Sequence, residues 1–196
     1  MSFRIEEKVL LNKDNNILLN KFLKENSAKI LHKDRLVESI YFDNKYYRMF
    51  SDSEEGLVPR KKIRVRNYSN DKKYNLEIKI SSVEGRFKTT KKIDNKEFES
   101  YIESGYYDNE YGICLPIVKI IYLRSYFRLF SRRITIDTDI TFLDYNFKNK
   151  ISCEQSILEI KTEPTDSIDD LNFYFPFRKN RFSKYSEAIK ALKIKT

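Results

Sequence analysis

The feature that most constrains the fold of this chain is the alternation of apolar and charged residues in many short segments. Side chains in a β-strand point alternately to the two faces of a sheet, so a period of two predicts strands that are buried on one face. Eight segments show this pattern: residues 3–11, 38–42, 61–68, 75–80, 85–93, 119–129, 133–142 and 156–162. We therefore predict about eight strands, paired mainly antiparallel, because no regular alternation of strands and helices links them.

Four further segments carry helix signals instead. Each combines apolar residues at helical spacing with a residue that can cap the first turn. The candidate caps are Asp14 or Asn15, Asp94, Ser167 and Ser183, with Gly105 just past the second helix and Leu171 at the end of the third. Residues 67–75, between the third and fourth strands, are predicted to form a hairpin loop. The predicted class is α+β, and residues 1–196 are predicted to form one domain.

Composition narrows the classes of partner and compartment. The chain has 38 Lys and Arg residues against 29 Asp and Glu residues, and its net charge of +9 favours anionic partners. Cys114 and Cys153 lack metal-ligand spacing, the first residues are charged throughout, and no apolar run approaches the ~20 residues needed to cross a bilayer. These features predict a reduced, cytoplasmic protein. The single histidine, His32, has no nearby candidate partner and is interpreted as an ordinary surface residue.

The same alternation predicts where the charges point. Residues i and i+2 of a strand lie about 6.6 Å apart on one face. The motif Leu-Glu-Ile-Lys occurs twice, and in each copy the Glu and the Lys share a face opposite the apolar residues. The groups predicted to share a charged face are Glu77 with Lys79; Glu159 with Lys161; Lys62, Arg64 and Arg66; Arg133, Thr135, Asp137 and Asp139; and Arg4, Glu6 and Lys8.

Two interpretations of these charged faces are open from the residues alone. In the first, the sheet is open and its charged face is solvated, as is common in antiparallel sheets. In the second, the sheet closes into a barrel whose charged face lines a tunnel, and the helices cover the apolar outer face. Charges of both signs in a closed space need a ligand or one another. A basic lining with a few carboxylates suits a polyphosphate chain with a divalent ion, because cations hold the phosphates and a carboxylate holds Mg²⁺ or Mn²⁺.

A series of motifs resembles a known family. In order they are "RIEEK", "SIYFDN", "RKKIRVRNY", "LEIK", "YLRSYF", "RRITIDTDI", "LEIK" again and "RFSKYS", and they run from Arg4 to about Leu192. This series resembles the VTC domain, the polyphosphate-polymerase domain of the vacuolar transporter chaperone complex. That family belongs to the triphosphate tunnel metalloenzymes. The resemblance therefore implies a closed antiparallel β-barrel of about eight strands that forms a charged tunnel, with helices packed outside.

The resemblance also implies roles for individual residues. Glu159 corresponds to the glutamate that holds a divalent metal ion, and Glu6, Glu77, Asp137 and Asp139 are candidate accessory carboxylates. The positions that correspond to phosphate-binding or tunnel-facing cations are Lys8, Arg64, Arg66, Lys79, Lys88, Arg124, Arg133, Lys161, Arg181 and Lys184.

Two departures from the family pattern bear on the chemistry. The strand "GRFKTTKK" corresponds to one that usually carries a basic pair; here Lys88 supplies one member, and Thr90 replaces the other unless Lys91 serves instead. The opening motif is Arg-x-Glu-x-Lys, whereas tunnel hydrolases of the CYTH type open with Glu-x-Glu-x-Lys. Fewer carboxylates weaken a two-metal site that activates water, so this departure favours the polymerase branch.

Together these implications predict a metal-dependent phosphotransferase that moves the γ-phosphoryl group of ATP to a polyphosphate chain. Its partners would be ATP or another triphosphate, polyphosphate, and pyrophosphate or phosphate, with Mn²⁺ or Mg²⁺ as cofactor. The alternatives are a metal-dependent inorganic or nucleoside triphosphatase and a non-catalytic polyphosphate-binding module. Carboxylates beside the cations repel nucleic acid, which argues against a nucleic-acid interface. Eukaryotic relatives carry membrane helices, so membrane association through a separate partner protein stays open.

Overall fold

The computed structural model describes residues 5–69, 71, 73–130, 132–146, 148–162 and 182–196 of the chain. Within these ranges it has ten strands and four helices. The strands are β1 (Ile5–Leu11), β2 (Lys29–Asp43), β3 (Arg60–Tyr68), β4 (Tyr74–Ser81), β5 (Arg86–Ile93), β6 (Tyr106–Asp108), β7 (Gly112–Leu129), β8 (Arg132–Asp144), β9 (Lys150–Ser152) and β10 (Ser156–Thr162). The helices are α1 (Lys13–Glu25), α2 (Arg48–Glu55), α3 (Asn95–Ser104) and α4 (Lys184–Ala191).

The strand order confirms the α+β class and the antiparallel sheet but corrects the prediction of closure. The order is β1-β10-β8-β7-β2-β3-β4-β5, with β6 paired to β7 and β9 paired to β8. In the described ranges, β1 and β5 are the two ends of this order and do not pair with each other, so the prediction of a closed barrel is wrong. A physical reason lies in β5, where Lys88, Lys91 and Lys92 are all exposed. Exposed lysines are typical of a sheet edge, because they disfavour pairing with a further strand.

The chain divides into two compact units. The first comprises Met1–Arg35, Tyr122–Ile140 and Cys153–Phe182; the second comprises Leu36–Ile121, Thr141–Ser152 and Ser183–Thr196. β1, α1 and β10 belong to the first unit, whereas β3, β4, β5 and helices α2 to α4 belong to the second. Strands β2, β7 and β8 contribute residues to both units. A single domain over residues 1–196 stays a prediction.

The core of the first unit lies between α1 and the apolar face of β1, β10 and β8. Leu19 and Leu23 of α1 are buried there against strand residues that alternate with the charged positions. These strand residues are Val9, Leu11, Ile134, Ile136, Leu158 and Ile160. Full burial of one such side chain contributes about 1.5–3 kcal/mol. The apolar half of the alternation pattern is therefore what holds these strands to the helix.

The start of α1 differs from the prediction. Its cap is Asn12, whose extended backbone lets its side-chain oxygen accept a hydrogen bond from Asn15 N at 2.8 Å. Asp14, which was predicted as the cap with Asn15 as the alternative, lies in the first turn instead. A carboxylate in the first turn interacts favourably with the helix dipole, so both positions carry residues that favour a helix start.

The core of the second unit lies on the apolar face of β3 and β4. Ile63, Val65 and Leu76 are buried there, and Phe98 of α3 packs against this cluster. α3 begins as predicted at Asp94, which forms a reciprocal capping box with Glu97. Gly105 ends the helix at a φ of +82°, and a Cβ at this position would lie 2.8 Å from the carbonyl oxygen of Cys114. This position therefore requires glycine.

Helix α2 was not predicted, because its cap does not come from an adjacent residue. Asp43, at the end of β2, accepts hydrogen bonds from Met49 N and Phe50 N, each at 3.0 Å, and so satisfies the first amides of the helix. The last helix, α4, begins at the predicted cap: Ser186 N donates to the Ser183 hydroxyl at 3.3 Å. The predicted helix from Ser167 to Leu171 lies outside the described residues.

The predicted loop at residues 67–75 is confirmed, since β3 ends at Tyr68 and β4 begins at Tyr74. β2 and β7 extend further toward the N-terminus than predicted. The additional residues of β2, from Lys29, are mostly exposed and charged on both faces, so they lack the alternation that marks a half-buried strand. Among the described residues, no helix is long and apolar enough to span a membrane.

Candidate functional site

The charged face of the second unit is built from rows of residues that lie opposite one another on neighbouring strands. The register of β3, β4 and β5 aligns Lys62 with Lys79, and Lys79 with Lys88. Directly opposite cations disfavour the sheet unless anions lie nearby. A polyanion bound to this row of three lysines would therefore stabilise the face.

The next row is centred on a buried carboxylate. Glu77 is 2% exposed, and Arg64 contacts its Oε2 through Nε at 2.6 Å and Nη2 at 2.5 Å. Lys88 Nζ lies 2.5 Å from Oε1, and Arg66 Nη1 lies 3.6 Å from Oε2. Burial alone would raise the pKa of Glu77, but the positive charges of Arg64, Arg66 and Lys88 outweigh it and hold the pKa well below its usual range. Glu77 is therefore ionised and holds three cations on one face.

Aromatic and hydroxyl groups hold the two arginines from the other side. Arg64 Nη1 donates to the Tyr41 hydroxyl at 2.8 Å, and its guanidinium carbon lies 5.6 Å from the centre of the Tyr41 ring. Arg66 Nε donates to the Ser39 hydroxyl at 3.2 Å, and its guanidinium carbon lies 5.9 Å from the centre of the Tyr68 ring. Each guanidinium is thus oriented by groups on β2 and β3 rather than left to sample many rotamers.

Helix α4 belongs to the same charged face. Lys62 Nζ donates to the Ser183 hydroxyl at 2.7 Å, and Lys184 is near enough to act electrostatically on Tyr41. Tyr185 stacks on Tyr41 with 5.4 Å between ring centres and donates to Asp43 Oδ2 at 2.7 Å. The predicted cation Lys184 therefore lies close to Arg64 and Arg66 within this unit. Arg181 lies outside the described residues.

The structure places Lys88 and Lys91 on opposite faces of β5. Lys88 lies on the face of Glu77, whereas Lys91 Nζ bonds Glu97 of α3 at 2.7 Å. Thr90 lies directly opposite Glu77 in the register of β4 and β5. Among the described residues of β5, Lys88 therefore remains the candidate phosphate ligand, and Lys91 belongs to the contact between the strand and the helix.

The first unit carries a second charged face on β1, β10 and β8. Lys8 lies opposite Glu159, and Glu159 lies opposite Thr135. In the same register Glu6 and Arg133 lie on either side of Lys161. Lys8 Nζ lies 3.5 Å from Glu6 Oε1 and donates to the carbonyl oxygen of Phe182 at 3.4 Å. These predicted residues are thus brought together on one face of this unit.

Arg124 of β7 and Asp137 of β8 form a buried ion pair. Arg124 Nε and Nη2 contact the two carboxylate oxygens of Asp137 at 2.5 and 2.7 Å. Burial would lower the pKa of Arg124, but Tyr122, Asp137 and Glu159 outweigh burial and raise it further. Asp137 is thus committed to an arginine. Asp139, by contrast, is exposed and has a φ of 51°.

The surroundings of Glu159 bear on its predicted role as a metal ligand. It is 6% exposed, and Lys161 Nζ lies 2.9 Å from its Oε1. Within the described ranges, no group of three or more His, Cys, Asp or Glu residues is arranged to hold a metal ion. A closed protein cage is therefore not formed there. One carboxylate that shares an ion with phosphate oxygens still fits Mg²⁺ or Mn²⁺, since these ions often bind through one or two carboxylates and substrate phosphates.

Sequence patterns missed three residues that shape the charged face of the second unit: Tyr41, Asp43 and Tyr185. All three belong to the motifs "SIYFDN" and "RFSKYS", but the segment 38–42 was predicted only as a strand, with no role for Tyr41. The signal that could have identified it is parity. Tyr41 and Asp43 are two residues apart in a strand, so they share a face with each other and not with Ile40 and Phe42.

A pocket of about 300 Å³ opens on the opposite, apolar face of the second unit. Ile40, Val65, Phe98 and Ile102 supply its apolar wall, and Glu38 and Lys119 form an ion pair at 2.7 Å on its lining. With one cation already paired to a carboxylate, this pocket does not suit a polyanion. The charged face is the better candidate for a phosphate site.

The family comparison agrees with the order of motifs. A model of the VTC domain matches residues 3–193, which confirms the resemblance. A search of curated proteins finds no match.

Three of the solved structures that share this fold match the chain at low sequence identity and high coverage. A Bacillus halodurans protein assigned as an adenylate cyclase is 12% identical, with a TM-score of 0.65 and 97% of each chain covered. A Vibrio parahaemolyticus protein with the same assignment is 16% identical, with a TM-score of 0.60 and 96% of this chain and 98% of that chain covered. A Hippeastrum protein assigned as an adenylyl cyclase, with a dominant triphosphatase activity, is 15% identical, with a TM-score of 0.60 and coverage of 97% and 96%. At these identities the likeness shows the fold.

Proposed function

Because the chain belongs to the VTC domain family, we propose that it is a metal-dependent phosphotransferase that extends a polyphosphate chain with the γ-phosphoryl group of ATP. The observation that carries this proposal is the row of Lys62, Lys79 and Lys88 beside Arg64 and Arg66 on one face of the second unit. A face with five cations around one buried carboxylate favours a ligand with several negative charges along its length.

The proposed chemistry depends on positioning and charge neutralisation. The end of a polyphosphate chain is already anionic near neutral pH, so its attack on a phosphorus atom needs no general base. Arg64 and Arg66 would hold phosphate oxygens, since guanidinium–phosphate hydrogen bonds are charge-assisted and can be bidentate. Lysines in the row would neutralise the charge that builds up during transfer. Glu77 keeps these cations ordered before the ligand arrives.

In the first unit, we propose that Glu159 is the residue that holds the divalent ion. When bound, such an ion neutralises phosphate oxygens and aligns the transferred group. Arg133 and Lys161, which lie opposite each other in the register, would hold phosphate oxygens there. Arg124 is bound to Asp137 in a bidentate pair, so a phosphate must compete with this carboxylate for it.

A triphosphatase is the second candidate function. It is favoured by the described activity of the Hippeastrum protein that shares this fold. The opening motif of this chain has Arg4 where tunnel hydrolases carry a glutamate, and this difference favours transfer to phosphate over transfer to water. A binding module without turnover is the third candidate.

One experiment separates these functions. The purified protein is incubated with ATP and Mn²⁺, and the phosphate products are resolved by gel electrophoresis and ³¹P NMR. We expect long polyphosphate chains, and we expect none after chelation of the metal. Release of orthophosphate alone would establish the triphosphatase instead. Retention of added polyphosphate without turnover of ATP would establish the binding module.

A further inference from the structure

Glu77 and Tyr41 both hold Arg64. Glu77 contacts its Nε and Nη2, while the Tyr41 hydroxyl accepts a hydrogen bond from Nη1 at 2.8 Å. Because the two contacts engage different nitrogens of one planar group, together they fix the plane of the guanidinium as well as its position.

Tyr41 is in turn fixed from behind. Its ring stacks on Tyr185 with planes 11° apart, and the Tyr185 hydroxyl donates to Asp43. Asp43 is itself bonded to backbone amides at the start of α2, including Met49 N. Tyr41 is thus held in a chain of contacts that runs from α2 through Asp43 and Tyr185 to Arg64.

We propose that Tyr41 positions Arg64 for a phosphate group and that triphosphate binding holds the proton on the Tyr41 hydroxyl. This inference rests on the phosphate-binding part of the proposed function. The inference goes beyond the proposed function in two ways. It names a residue that carries no charge at neutral pH, and it couples ligand binding to the uptake of a proton.

The charges around Tyr41 support this coupling. Burial opposes ionisation of Tyr41, but Arg64 and Arg66 of β3 and Lys184 of α4, with the hydrogen bond from Arg64, outweigh burial and lower its pKa to about 8. A polyanion on these cations cancels part of their field, so it raises the pKa of Tyr41 again. Tyr185 stays protonated throughout, because burial and the neighbouring Asp43 raise its pKa well above its usual value.

The direction of the pH dependence follows from this shift. Below about pH 8 the Tyr41 hydroxyl is protonated, and triphosphate binds without proton uptake. Above this pH the free protein carries a phenolate that pairs with Arg64, so binding must displace the phenolate and restore its proton. Linkage then requires triphosphate affinity to fall as pH rises through 8.

The test compares Tyr41→Phe with the wild type by calorimetric titration of inorganic triphosphate, without metal, at pH 7 and pH 9. The substitution keeps the ring on Tyr185 and removes only the hydroxyl. Tyr74→Phe, which removes a hydroxyl on the apolar face of the same unit, is the matched control. Titration of the ligand and of the lysines is common to all three proteins, so the ratio of affinities isolates Tyr41.

For a pKa near 8, we expect the affinity of the wild type relative to Tyr41→Phe to fall about ten-fold from pH 7 to pH 9. The wild type should take up more protons on binding at pH 8.5 than Tyr41→Phe does, as measured in buffers of different ionisation enthalpy. Tyr74→Phe should behave as the wild type does.

A constant ratio between pH 7 and pH 9, or equal proton uptake in the two proteins, would overturn the inference. Absence of triphosphate binding to the wild type at both pH values would overturn the inference and the proposed function together. If the wild type shows the expected linkage but makes no polyphosphate from ATP, the polymerase proposal fails and the role of Tyr41 stands.

Discussion

The two copies of Leu-Glu-Ile-Lys place the same residues in different surroundings. In β4, Glu77 lies between Arg64 on β3 and Thr90 on β5, and it holds Arg64 and Lys88 at 2.5–2.6 Å. Its carboxylate is therefore saturated with cations of its own unit. Such a group organises the cations around it more readily than it binds a further ion.

In β10, Glu159 has different neighbours. It lies between Lys8 on β1 and Thr135 on β8, and Lys161 of its own strand is 2.9 Å away. This contact is longer than those of Glu77, and the side chain of Lys161 is 27% exposed, so Lys161 can be released toward water or phosphate at lower cost. The comparison shows that cross-strand neighbours, and not the motif itself, distinguish the two glutamates.

The largest expected effect is on turnover. Glu159→Gln keeps the shape of the side chain and removes the charge that a hard cation needs, so we expect loss of at least about 100-fold in ATP turnover with Mn²⁺. The melting temperature should change little, since Lys161 is partly exposed and can be hydrated. Product formation over time and a thermal melt check the two expectations. A variant that keeps more than half of the wild-type rate would contradict the role of Glu159.

The second effect is a loss of stability, and it distinguishes Glu77 from Glu159. Glu77→Gln removes the buried carboxylate charge that faces Arg64 and Lys88, and loss of one partner from a buried pair costs about 3–5 kcal/mol. We expect denaturant unfolding to show a loss of this order for Glu77→Gln and a much smaller loss for Glu159→Gln. The effect of Glu77→Gln on turnover should be milder than that of Glu159→Gln. Equal losses of stability in the two variants would remove the distinction.

The contribution of Glu77 should also depend on pH. Its folded pKa is depressed, so the stability that it adds is present at neutral pH and is lost as pH falls below the ordinary range of a glutamate. The difference in unfolding free energy between the wild type and Glu77→Gln should therefore shrink as the pH is lowered from 5 toward 2. A difference that stays constant over this range would show that packing, and not charge, is responsible.

Another pair of variants, Lys88→Ala and Lys91→Ala, tests the two faces of β5. Lys88→Ala removes a cation that faces Glu77, whereas Lys91→Ala removes one that bonds Glu97 on the other face. We expect triphosphate affinity to fall about ten-fold in the first, as charge-assisted bonds contribute about 1.5–3 kcal/mol, and to stay near the wild-type value in the second. Calorimetric titration measures both. Equal losses would indicate a diffuse effect of net charge.

The smallest effect concerns the threonines that face the two glutamates. Thr135, opposite Glu159, is 3% exposed, and its hydroxyl has no hydrogen-bond partner in the described part of the chain. Replacement by Val keeps the shape, so Thr135→Val should raise the unfolding free energy by up to about 1 kcal/mol. Thr90→Val, at the exposed position opposite Glu77, should change it by less than about 0.5 kcal/mol. A destabilised Thr135→Val would show that its hydroxyl is satisfied in solution.

The sequence predicted well what depends on local pattern. Alternation placed Glu77, Lys79 and Arg64 on one face because parity in a strand needs only the spacing of residues. The caps at Asp94 and Ser183 were predicted for the same reason, since a cap acts on amides two or three residues away. Whether Lys88 or Lys91 lies on the charged face was left open, and the contacts of Lys88 with Glu77 and of Lys91 with Glu97 decide it.

Features that depend on distant residues were missed or predicted wrongly. Closure requires the first and last strands of the order to meet, and no local pattern encodes that contact. Helix α2 is capped by Asp43, which precedes it by several residues and belongs to another element. Tyr41 acquires its importance from Arg64 and Tyr185, whose positions relative to it are fixed only by the tertiary fold.

The most direct test of the difference between the two glutamates is the coupling between metal and phosphate. The affinity for inorganic triphosphate is measured by calorimetry with and without Mn²⁺ for the wild type, Glu77→Gln and Glu159→Gln, and the ratio of the two affinities is compared. We expect Glu159→Gln to lower this ratio at least about ten-fold relative to the wild type, and Glu77→Gln to leave it unchanged. If Glu77→Gln lowers the ratio and Glu159→Gln does not, the roles of the two strands are reversed.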